Sequence, residues 1–549
     1  MTLARTLTSR GSFKLDLSAN LAGIGWSALV QFLCIPFYIK FLGVAGYGLI
    51  GFYLMLQAVM QVLDFGITPT MNRELARYSV RPELAGEARD LVRTVETGYW
   101  AVGAAIGLTL MAAAPLIATR WIHPAGVPVE SVKQAVVAMG ILVVFQWPVS
   151  LYQAGLIGLH RQVVVNVIKI CNATLNGGGA LLVLWLVSRT ARSFFLWQAA
   201  VALVQVTVLL ICLWRAMPVA AGSPRLNFKL LRGISRFAAG MSGIIITAMV
   251  LTQLDKLIIS RMFSLEVFGY YTLAGVFGSA VIMLITPVFN TIFPRFSALV
   301  AAREPKKVAE LYHRCSQLMT VLIVPLTAVL ALYSYEILLL WTRNPGAARH
   351  AASIATVLVI ATALNGLMNL PYVLQLANGW TSLGLRLNIF FLVTVGPVIW
   401  FLATRYGPIG GAFGYLALMC TYVVLGVPLT HHRLLRGETL RWFTRDVGAA
   451  TLAALLVVGI SRVLPLPLSS PPVAVASLLV VLIAAVSAAA MASPAVRSGL
   501  LEQLAVIGAT QSESALAMAS IGPVETTPAP RTSELPHESA EIINKGWHA

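Results

Sequence analysis

Long apolar stretches, separated by short polar segments rich in arginine, run through nearly the whole chain. A helix needs about 20 mostly apolar residues to cross the hydrocarbon core of a membrane. Stretches of this kind lie at residues 18–41, 44–66, 94–118, 134–158, 163–187, 194–214, 238–262, 268–292, 316–341, 351–376, 385–404, 411–430, 447–464 and 473–492. The pattern predicts an all-α polytopic membrane protein with about fourteen transmembrane helices.

Composition agrees with this prediction. The 549 residues are 58% hydrophobic and only 11% charged, which is more apolar than a soluble protein of this length. The formal net charge of +18 raises the question of nucleic acid. However, the basic residues cluster between the apolar stretches and not on a nucleic-acid-binding module, so a membrane surface explains them better. We therefore expect no nucleic-acid partner.

The distribution of basic residues predicts the orientation. If the N-terminus is cytoplasmic, most of the 39 lysines and arginines fall in cytoplasmic segments, as the positive-inside rule requires. The C-terminus is then cytoplasmic as well. After residue 493, proline, serine, threonine and glutamate replace the aliphatic residues. We predict that 493–549 is a disordered cytoplasmic tail.

Two regions of the chain resemble each other. The segment LGVAGYGLIGF around Gly46 and the segment LEVFGYYTLAGVF around Gly269 both place a Gly-Tyr pair just inside a predicted helix. The offset that relates these glycines also relates TPTMNREL, from Thr68, to TIFPRFSAL, from Thr291. This agreement in offset predicts a duplicated unit of six helices.

The repeat predicts the domain organisation. The two six-helix lobes would comprise residues 18–214 and 238–430, followed by two additional transmembrane helices in 447–492. Because six is an even number, the lobes would have the same orientation and be related by an axis along the membrane normal. A substrate or ion cavity is then expected between them.

Polar residues recur at helical spacing inside the apolar stretches. On segment 44–66 and just beyond it, residues spaced by 4, 4, 3 and 4 share one face: Tyr53, Gln57, Gln61, Asp64 and Thr68. Segment 163–187 carries Asn166, Lys169, Asn172 and Asn176, and segment 351–376 carries Asn365 and Asn369. Single amides of this kind also serve as interhelical hydrogen-bonding groups, at about 0.6 kcal/mol each. For Lys169, desolvation of the ammonium favours a water-filled cavity.

Asp255 and Lys256 are adjacent within the apolar segment 238–262. Each charge at the centre of a membrane helix costs roughly 2.5–3.5 kcal/mol on insertion scales. Since the two side chains point about 100° apart on a helix, at least one should face protein or water. Pairing with a neighbouring helix and contact with a substrate or ion both remain open. For Asp64, a structural pairing with Arg73 and a role in transport are equally open.

Motifs typical of enzymes are missing from the sequence. No lysine follows a glycine, so there is no phosphate-binding P-loop, and neither G-x-S-x-G nor H-E-x-x-H occurs. The five cysteines are scattered and offer neither a disulfide framework nor metal-ligand spacing. We therefore expect no catalytic residue, no metal and no cofactor.

Several stretches together resemble a known family. These are NLAGIGWSALVQFLCIPFYIKFLGVAGYGLIGFY, LDFGITPTMNRELAR, LDKLIIS and LEVFGYYTLAGVFGSAVIMLITPVFNTIFPRFSAL. They resemble the bacterial polysaccharide exporters, the Wzx-type O-antigen flippases of the multidrug/oligosaccharidyl-lipid/polysaccharide superfamily. That superfamily also contains peptidoglycan-precursor flippases and multidrug antiporters. The resemblance covers about 18–430.

The resemblance implies a function. It implies a two-lobed transporter, not an enzyme, that moves undecaprenyl-diphosphate-linked oligosaccharide across the bacterial inner membrane by alternating access. The glycan would serve O-antigen, capsule or exopolysaccharide synthesis, and an H⁺ or Na⁺ gradient is the candidate energy source. The implied partners are the lipid-linked oligosaccharide and membrane lipids, with a polysaccharide polymerase and chain-length proteins as further candidates.

The resemblance also extends to single positions. Asp64 stands at the acid of the family's LDxG motif, Arg73 stands in its RE loop, and Asp255 and Lys256 stand at its DK pair. A cationic cavity would suit a diphosphate headgroup, because charges interact more strongly when buried. The amide and tyrosine stripes would meet the sugars.

Two other functions remain as alternatives. An ion-coupled multidrug or small-molecule antiporter of the same superfamily would be expected to have acids and aromatic residues in its cavity, and not lysines. A membrane oligosaccharide polymerase or ligase would be expected to have a sizeable outer loop with catalytic residues. The longest predicted outer loop spans only about 119–133.

Overall fold

The computed structural model describes residues 10–124, 126–218, 223–464, 466–467, 470–499 and 502. Most of the predicted tail lies outside the described residues. The described part is almost entirely helical. Its helices are α1 (Arg10–Gln61), α2 (Ile67–Tyr78), α3 (Ala85–Leu116), α4 (Val129–Gln146), α5 (Val149–Gly158), α6 (Gln162–Thr174), α7 (Ala180–Leu186), α8 (Ala191–Ala216), α9 (Phe228–Met262), α10 (Leu265–Ser279), α11 (Ile282–Ala301), α12 (Pro305–Leu332), α13 (Ser334–Thr342), α14 (Pro345–Ala377), α15 (Thr381–Tyr406), α16 (Pro408–Thr421), α17 (Val427–Leu434), α18 (Thr439–Arg441), α19 (Ala449–Val463) and α20 (Pro471–Ala492).

Twelve helical segments among the described residues are long and apolar enough to cross a membrane. The prediction of an all-α polytopic membrane protein is therefore confirmed. The first segment, Ala22–Asp64, contains two of the predicted spans, which meet at Gly43. Gly43 has φ 71° and ψ 172°, so the backbone leaves the helical conformation there and resumes it afterwards. The predicted span 238–262 falls on α9, where several side chains lie outside the described part.

Two predicted spans are interrupted in the structure. Segment 268–292 is shared between α10 and α11, which meet at Ala280 and Val281. Segment 316–341 is shared between α12 and α13, with a break at Tyr333. Apolar periodicity alone does not show such breaks, because the residues on both sides remain apolar.

The helices pack in two neighbouring groups. Helices α1–α8 pack mainly against one another, with α3 against α4 and α4 against α8. Helices α9–α17 surround α14, which contacts α10, α11, α12, α13 and α16. These groups coincide with the predicted lobes in sequence, although the assignment of two lobes stays a prediction.

Glycines mediate the main contact between the two groups, which joins α1 to α10. A Cβ placed on Gly48 would lie 3.1 Å from Leu265 Cδ1, and closer still to the Leu265 carbonyl oxygen. A Cβ on Gly269 would lie 2.9 Å from Val44 Cγ1. Small residues permit this close backbone approach, which is how membrane helices commonly associate. The two repeated Gly-Tyr segments thus pack against each other.

A second connection lies at the same end of the molecule. His123 and Ser264 form an isolated parallel β-bridge, and the Leu265 N–H donates to the His123 carbonyl at 2.9 Å. The Trp121 indole N–H donates to Ser260 Oγ at 3.3 Å. We call this region, with the glycine contact, the Gly48 end. The two helix groups are joined there by backbone and side-chain contacts.

The additional helices α19 and α20 pack on α12. A buried polar network anchors them. Asp446, which is fully buried, accepts a hydrogen bond from Gln317 at 2.9 Å and contacts the imidazole of His313. The other imidazole nitrogen of His313 lies 3.2 Å from a Glu438 carboxylate oxygen. Because a buried charge needs its partners, this network fixes the helix pair to α12.

Replacing Asp446 with leucine is expected to lower the free energy of unfolding of the purified protein by several kcal/mol. Removing one partner of a buried pair typically costs about 3–5 kcal/mol. Adding His313→Leu should restore part of the loss, because the imidazole that contacted Asp446 is then removed as well, while Gln317 still lacks its acceptor. Thermal unfolding in detergent measures both effects. As a control, Glu336→Gln breaks a more exposed pair with Arg462 and should cost about 0–1 kcal/mol. Equal losses for Asp446→Leu and the control would contradict an anchoring role.

Candidate functional site

A cavity of about 590 Å³ lies among the N-terminal helices. Its size is in the range of small-molecule sites, ~300–1,000 Å³. We call it the Lys169 cavity. Helices α1, α2, α4, α5, α6 and α8 supply its lining, and α9 adds Met249. The polar lining residues include Ser27, Tyr53, Gln57, Gln61, Asp64, Thr68, Gln146, Ser150, Gln153, Lys169, Asn172 and Gln205.

The polar stripe predicted on the second apolar segment forms one wall of this cavity. All five of its members line the cavity: Tyr53, Gln57, Gln61, Asp64 and Thr68. The stripe crosses from α1 to α2 through a short 3-10 turn. Phe65 and Gly66 have φ values of 46° and 74°, and this left-handed turn starts α2. The stripe therefore continues along the cavity beyond the end of α1.

Lys169 projects from α6 into the cavity. It is partly buried, and within the described part of the chain it has no hydrogen bond or ion pair. Asp64 and Lys169 are the charged residues in the lining. An ammonium in this position is tolerated where water or an anionic ligand can reach it. The cavity thus offers positive charge beside neutral amide groups.

Asp64 is bound by hydroxyl groups. Thr68 Oγ1 donates to one carboxylate oxygen at 2.6 Å, the Tyr99 hydroxyl contacts the same oxygen, and the Thr68 N–H donates to the other oxygen at 3.2 Å. The last bond caps the start of α2. Arg73 pairs with Glu74 at 2.6 Å. Asp64 therefore combines a structural role in the turn with a position on the cavity surface.

A second cavity, of about 330 Å³, continues from the first. We call it the Tyr47 cavity. The two share Ser27, Tyr53, Gln57, Gln146, Asn172 and Ala173. Four aromatic rings line the second cavity, together with several amides and aliphatic residues: Tyr38, Tyr47, Tyr53 and Phe194. Within the described residues, its lining contains no charged side chain.

The residues of the polar stripe predicted on α6 lie in different places: some line the two cavities, and one packs against α1. Lys169 and Asn172 line the Lys169 cavity, and Asn172 and Asn176 line the Tyr47 cavity. Asn166 is 4% exposed and packs against Gly23 of α1. One polar stripe therefore serves both a cavity and a helix contact.

Asp255 and Lys256 lie outside the linings of these cavities. Asp255 is 2% exposed, and one of its oxygens accepts a hydrogen bond from the Tyr271 hydroxyl at 2.6 Å. Lys256 is partly buried and donates to Gln253 at 3.1 Å. Asp255 thus faces protein.

Helical geometry shows the direction in which Lys256 projects. Lys256 follows Met249 by two turns, about 10.5 Å along α9, on nearly the same face. Met249 lines the Lys169 cavity, and Ser260, one turn after Lys256, contacts the sulfur of Met55 on α1 at 3.9 Å. Lys256 is therefore directed towards α1, between the two helix groups.

Asn365 and Asn369 line two other cavities, of about 250 and 280 Å³, among the C-terminal helices. Tyr372 also lines both. Asn369 donates to the Asn365 carbonyl at 2.9 Å, and the Asn365 amide approaches the sulfur of Met419 at 3.5 Å. The structure therefore places this pair apart from the Lys169 cavity.

Several cavity residues escaped the sequence reasoning. Gln146 and Gln153 lie seven residues apart, as do Gln198 and Gln205. Seven residues correspond to two helical turns, so Gln198 and Gln205 share a face of α8, whereas Gln146 ends α4 and Gln153 lies on α5. This spacing inside apolar stretches could have revealed them.

The described residues contain no group of three or more His, Cys, Asp or Glu side chains placed to hold a metal ion. The cavities offer hydrogen-bonding groups, aromatic faces and the ammonium of Lys169, which has no partner in the described part of the chain. Such groups suit reversible binding of a polar ligand.

The fold is similar to the folds of two solved membrane proteins. An inward-facing structure of a multidrug resistance MATE family transporter of the MOP superfamily has a TM-score of 0.63 at 13% identity, covering 74% of this chain and 94% of that chain. The lipid II flippase MurJ, in an inward closed conformation, has a TM-score of 0.62 at 12% identity, covering 86% of this chain and 98% of that chain. Similarities at this identity establish the fold.

The chain belongs to the polysaccharide biosynthesis protein family, whose model matches residues 39–342, more than half of the sequence. A Shigella flexneri protein named "Putative O-antigen transporter" is 20% identical over 397 residues, which is 72% of this chain and 92% of that protein. The predicted resemblance to polysaccharide exporters is confirmed. The protein is thus a multi-pass membrane protein of the polysaccharide biosynthesis family.

Proposed function

We propose that the protein moves an undecaprenyl-diphosphate-linked oligosaccharide from the inner to the outer leaflet of the bacterial inner membrane by alternating access. The observation that carries the proposal is a pair of adjoining cavities lined by amides, aromatic rings and Lys169, which has no partner among the described residues. The match to the polysaccharide biosynthesis family and the similarity of the fold to that of a lipid flippase also support this proposal.

Lys169 is the proposed partner of the diphosphate. The lysine ammonium supplies three N–H donors and a full positive charge, and charge-assisted hydrogen bonds are roughly twice as strong as neutral ones. Asn172 and Gln205 line the same cavity. Lys256, directed towards α1, would add positive charge along the path between the helix groups.

The Gly48 end supplies the proposed barrier. From Gly48 to Asp64 the chain advances about 24 Å along its helical path, so Asp64 and the glycine contact lie well apart. Under the predicted orientation the Gly48 end faces outward, and the Asp64 end faces the cytoplasm. Release of the substrate would then require the glycine contact and the His123–Ser264 bridge to separate.

An ion-coupled antiporter of small molecules is the second candidate. Asp64, on the cavity surface with two hydroxyl partners, favours it, because a carboxylate among oxygen ligands can bind a cation. The fold alone does not separate the two candidates, since it includes both kinds of transporter. We favour the flippase because the sequence family is that of polysaccharide biosynthesis. An H⁺ or Na⁺ gradient remains the proposed energy source, and a polysaccharide polymerase and chain-length proteins remain proposed partners.

Reconstitution in proteoliposomes tests the proposal. A lipid-linked oligosaccharide with a fluorescent glycan is placed in one leaflet, and its exposure to a membrane-impermeant quencher is followed. The proposal predicts protein-dependent transfer between leaflets. An antiporter would instead move a small molecule in exchange for the ion that runs down an imposed gradient, and would leave the lipid-linked glycan in its original leaflet.

Cysteine labelling tests the orientation. In a variant whose five native cysteines are replaced, a cysteine at Val127 is expected to react with an impermeant reagent added outside spheroplasts, and a cysteine at Lys306 is not. Permeabilisation should then make the second site reactive, which controls for burial, since Lys306 is exposed. The reverse pattern would show that the N-terminus is outside.

A further inference from the structure

The Tyr47 cavity contains polar atoms that have no partner within the described part of the chain. Tyr47 is 1% exposed and lines the cavity, yet its hydroxyl has no hydrogen bond. The side-chain amides of Asn172 and Asn176 each leave a buried oxygen unpaired as well. Leaving such groups unsatisfied costs about 1–3 kcal/mol each. A ligand with several hydroxyl groups would satisfy them once their side chains turn towards the cavity, because all three oxygens are buried as the structure stands.

The local backbone favours this arrangement at Asn176. Residues Leu175–Gly179 form a π-helical turn between α6 and α7. The Asn176 carbonyl accepts a hydrogen bond from the Gln198 amide at 3.3 Å, and the Tyr38 hydroxyl lies 3.4 Å from it. Single π-helical turns inside helices frequently occur at functional sites. Here the turn secures the backbone of Asn176 while its side-chain oxygen stays unpaired.

The remaining lining suits the apolar faces of sugar rings. Tyr38 and Phe194 pack edge to face, with ring centroids 5.1 Å apart, and Tyr53 lies on the boundary with the Lys169 cavity. The absence of charged side chains from the described lining makes burial of a carboxylate costly. Aromatic faces, unpaired amides and neutrality together match an uncharged sugar.

We propose that the Tyr47 cavity is a subsite for an uncharged sugar residue of the transported glycan, and that it selects neutral over acidic sugars at that position. This inference rests on the proposed function. The diphosphate lies at Lys169, and the glycan extends past Asn172, which both cavities share, towards Tyr47 and Asn176. Lys169 therefore binds the diphosphate that all such lipid carriers share, and the neutral Tyr47 cavity binds the sugar.

The test uses proteoliposomes and two undecaprenyl-diphosphate-linked oligosaccharides that differ only in one residue, a hexose in one and the corresponding hexuronic acid in the other. Wild type is expected to transfer the neutral glycan about tenfold faster. Tyr47→Phe and Asn176→Leu, which keep side-chain volume, should each slow the neutral glycan several-fold, up to about tenfold for a lost hydrogen bond, and narrow the difference between the glycans. Lys169→Gln should slow both glycans alike.

Matched controls are Tyr406→Phe and Asn20→Leu, whose exposed side chains lie outside both cavity linings. Both should behave as wild type. Equal rates of the two glycans in wild type, or unchanged neutral-glycan rates in folded Tyr47→Phe and Asn176→Leu proteins, would overturn the subsite. Failure of wild type to transfer either glycan would instead overturn the proposed function itself.

Discussion

Replacing Lys169 with glutamine is expected to reduce export of lipid-linked oligosaccharide by roughly 10- to 100-fold at normal protein level. A hydrogen bond to a charged group contributes about 1.5–3 kcal/mol, and each 1.4 kcal/mol corresponds to about a factor of ten. Lys169 lines the cavity and has no partner among the described residues, so its removal leaves no protein charge unpaired. Lys169→Arg keeps the charge with altered geometry and should retain more export.

Lys133→Gln is the matched control for Lys169, because Lys133 is a solvent-exposed lysine paired with Glu130 at 3.3 Å. It should export at the wild-type rate. Lys256→Gln is the companion variant, since Lys256 also lies in the interior of a predicted span. If Lys256 instead has a structural role as the partner of Asp255, Lys256→Gln should lower the protein level, and removing Asp255 as well should restore that level. Normal export by both the Lys169→Gln and Lys256→Gln variants would contradict a cationic cavity.

Replacing Gly48 with leucine is expected to abolish most export by preventing closure of the Gly48 end. A side chain at this position would collide with the backbone and side chain of Leu265, and backbone cannot move aside as a flexible side chain can. The variant would be held away from the closed conformation, and alternating access needs both conformations. Export assays measure the loss, for which we expect at least about tenfold, the effect of a 1.4 kcal/mol bias against closure.

A labelling experiment separates this effect from misfolding. Thr272 is 9% exposed and contacts Gly51 at the same end, so a cysteine there should be protected in the parent protein and reactive in the Gly48→Leu variant. Gly25→Leu is the control on the same helix, because a Cβ there meets nothing within 4 Å. If the Gly48→Leu variant exports normally and Thr272→Cys stays protected, export does not require the close contact between Gly48 and Leu265.

The wall formed by α1 and α2 was predictable from sequence. Polar residues at helical spacing inside an apolar segment must share a face, and five of them do line the Lys169 cavity. The helical class of the fold was predictable for the same reason, since length and hydropathy determine which segments can cross a membrane. The repeated Gly-Tyr segments were visible too.

The sequence could not predict which residues on other helices each of these positions contacts. Gly48 and Leu265 are distant in sequence, and their contact depends on how the two helix groups pack. Asp255 lies next to Lys256 in the chain, yet its carboxylate is buried against Tyr271, a pairing set by the meeting of α9 and α10. Likewise, Asn365 and Asn172 are both asparagines within apolar segments of the sequence, but they line different cavities.

Complementation of a bacterial strain that lacks its own polysaccharide flippase is the most direct measurement of the central claim. Lipid-linked glycan is extracted after treatment of intact spheroplasts with an impermeant glycan-modifying reagent, which scores the leaflet in which it accumulates. The account predicts outer-leaflet glycan and restored surface polysaccharide with wild type, and inner-leaflet accumulation with Lys169→Gln. Inner-leaflet accumulation with well-expressed wild type, in strains supplying both neutral and acidic glycans, would contradict the account.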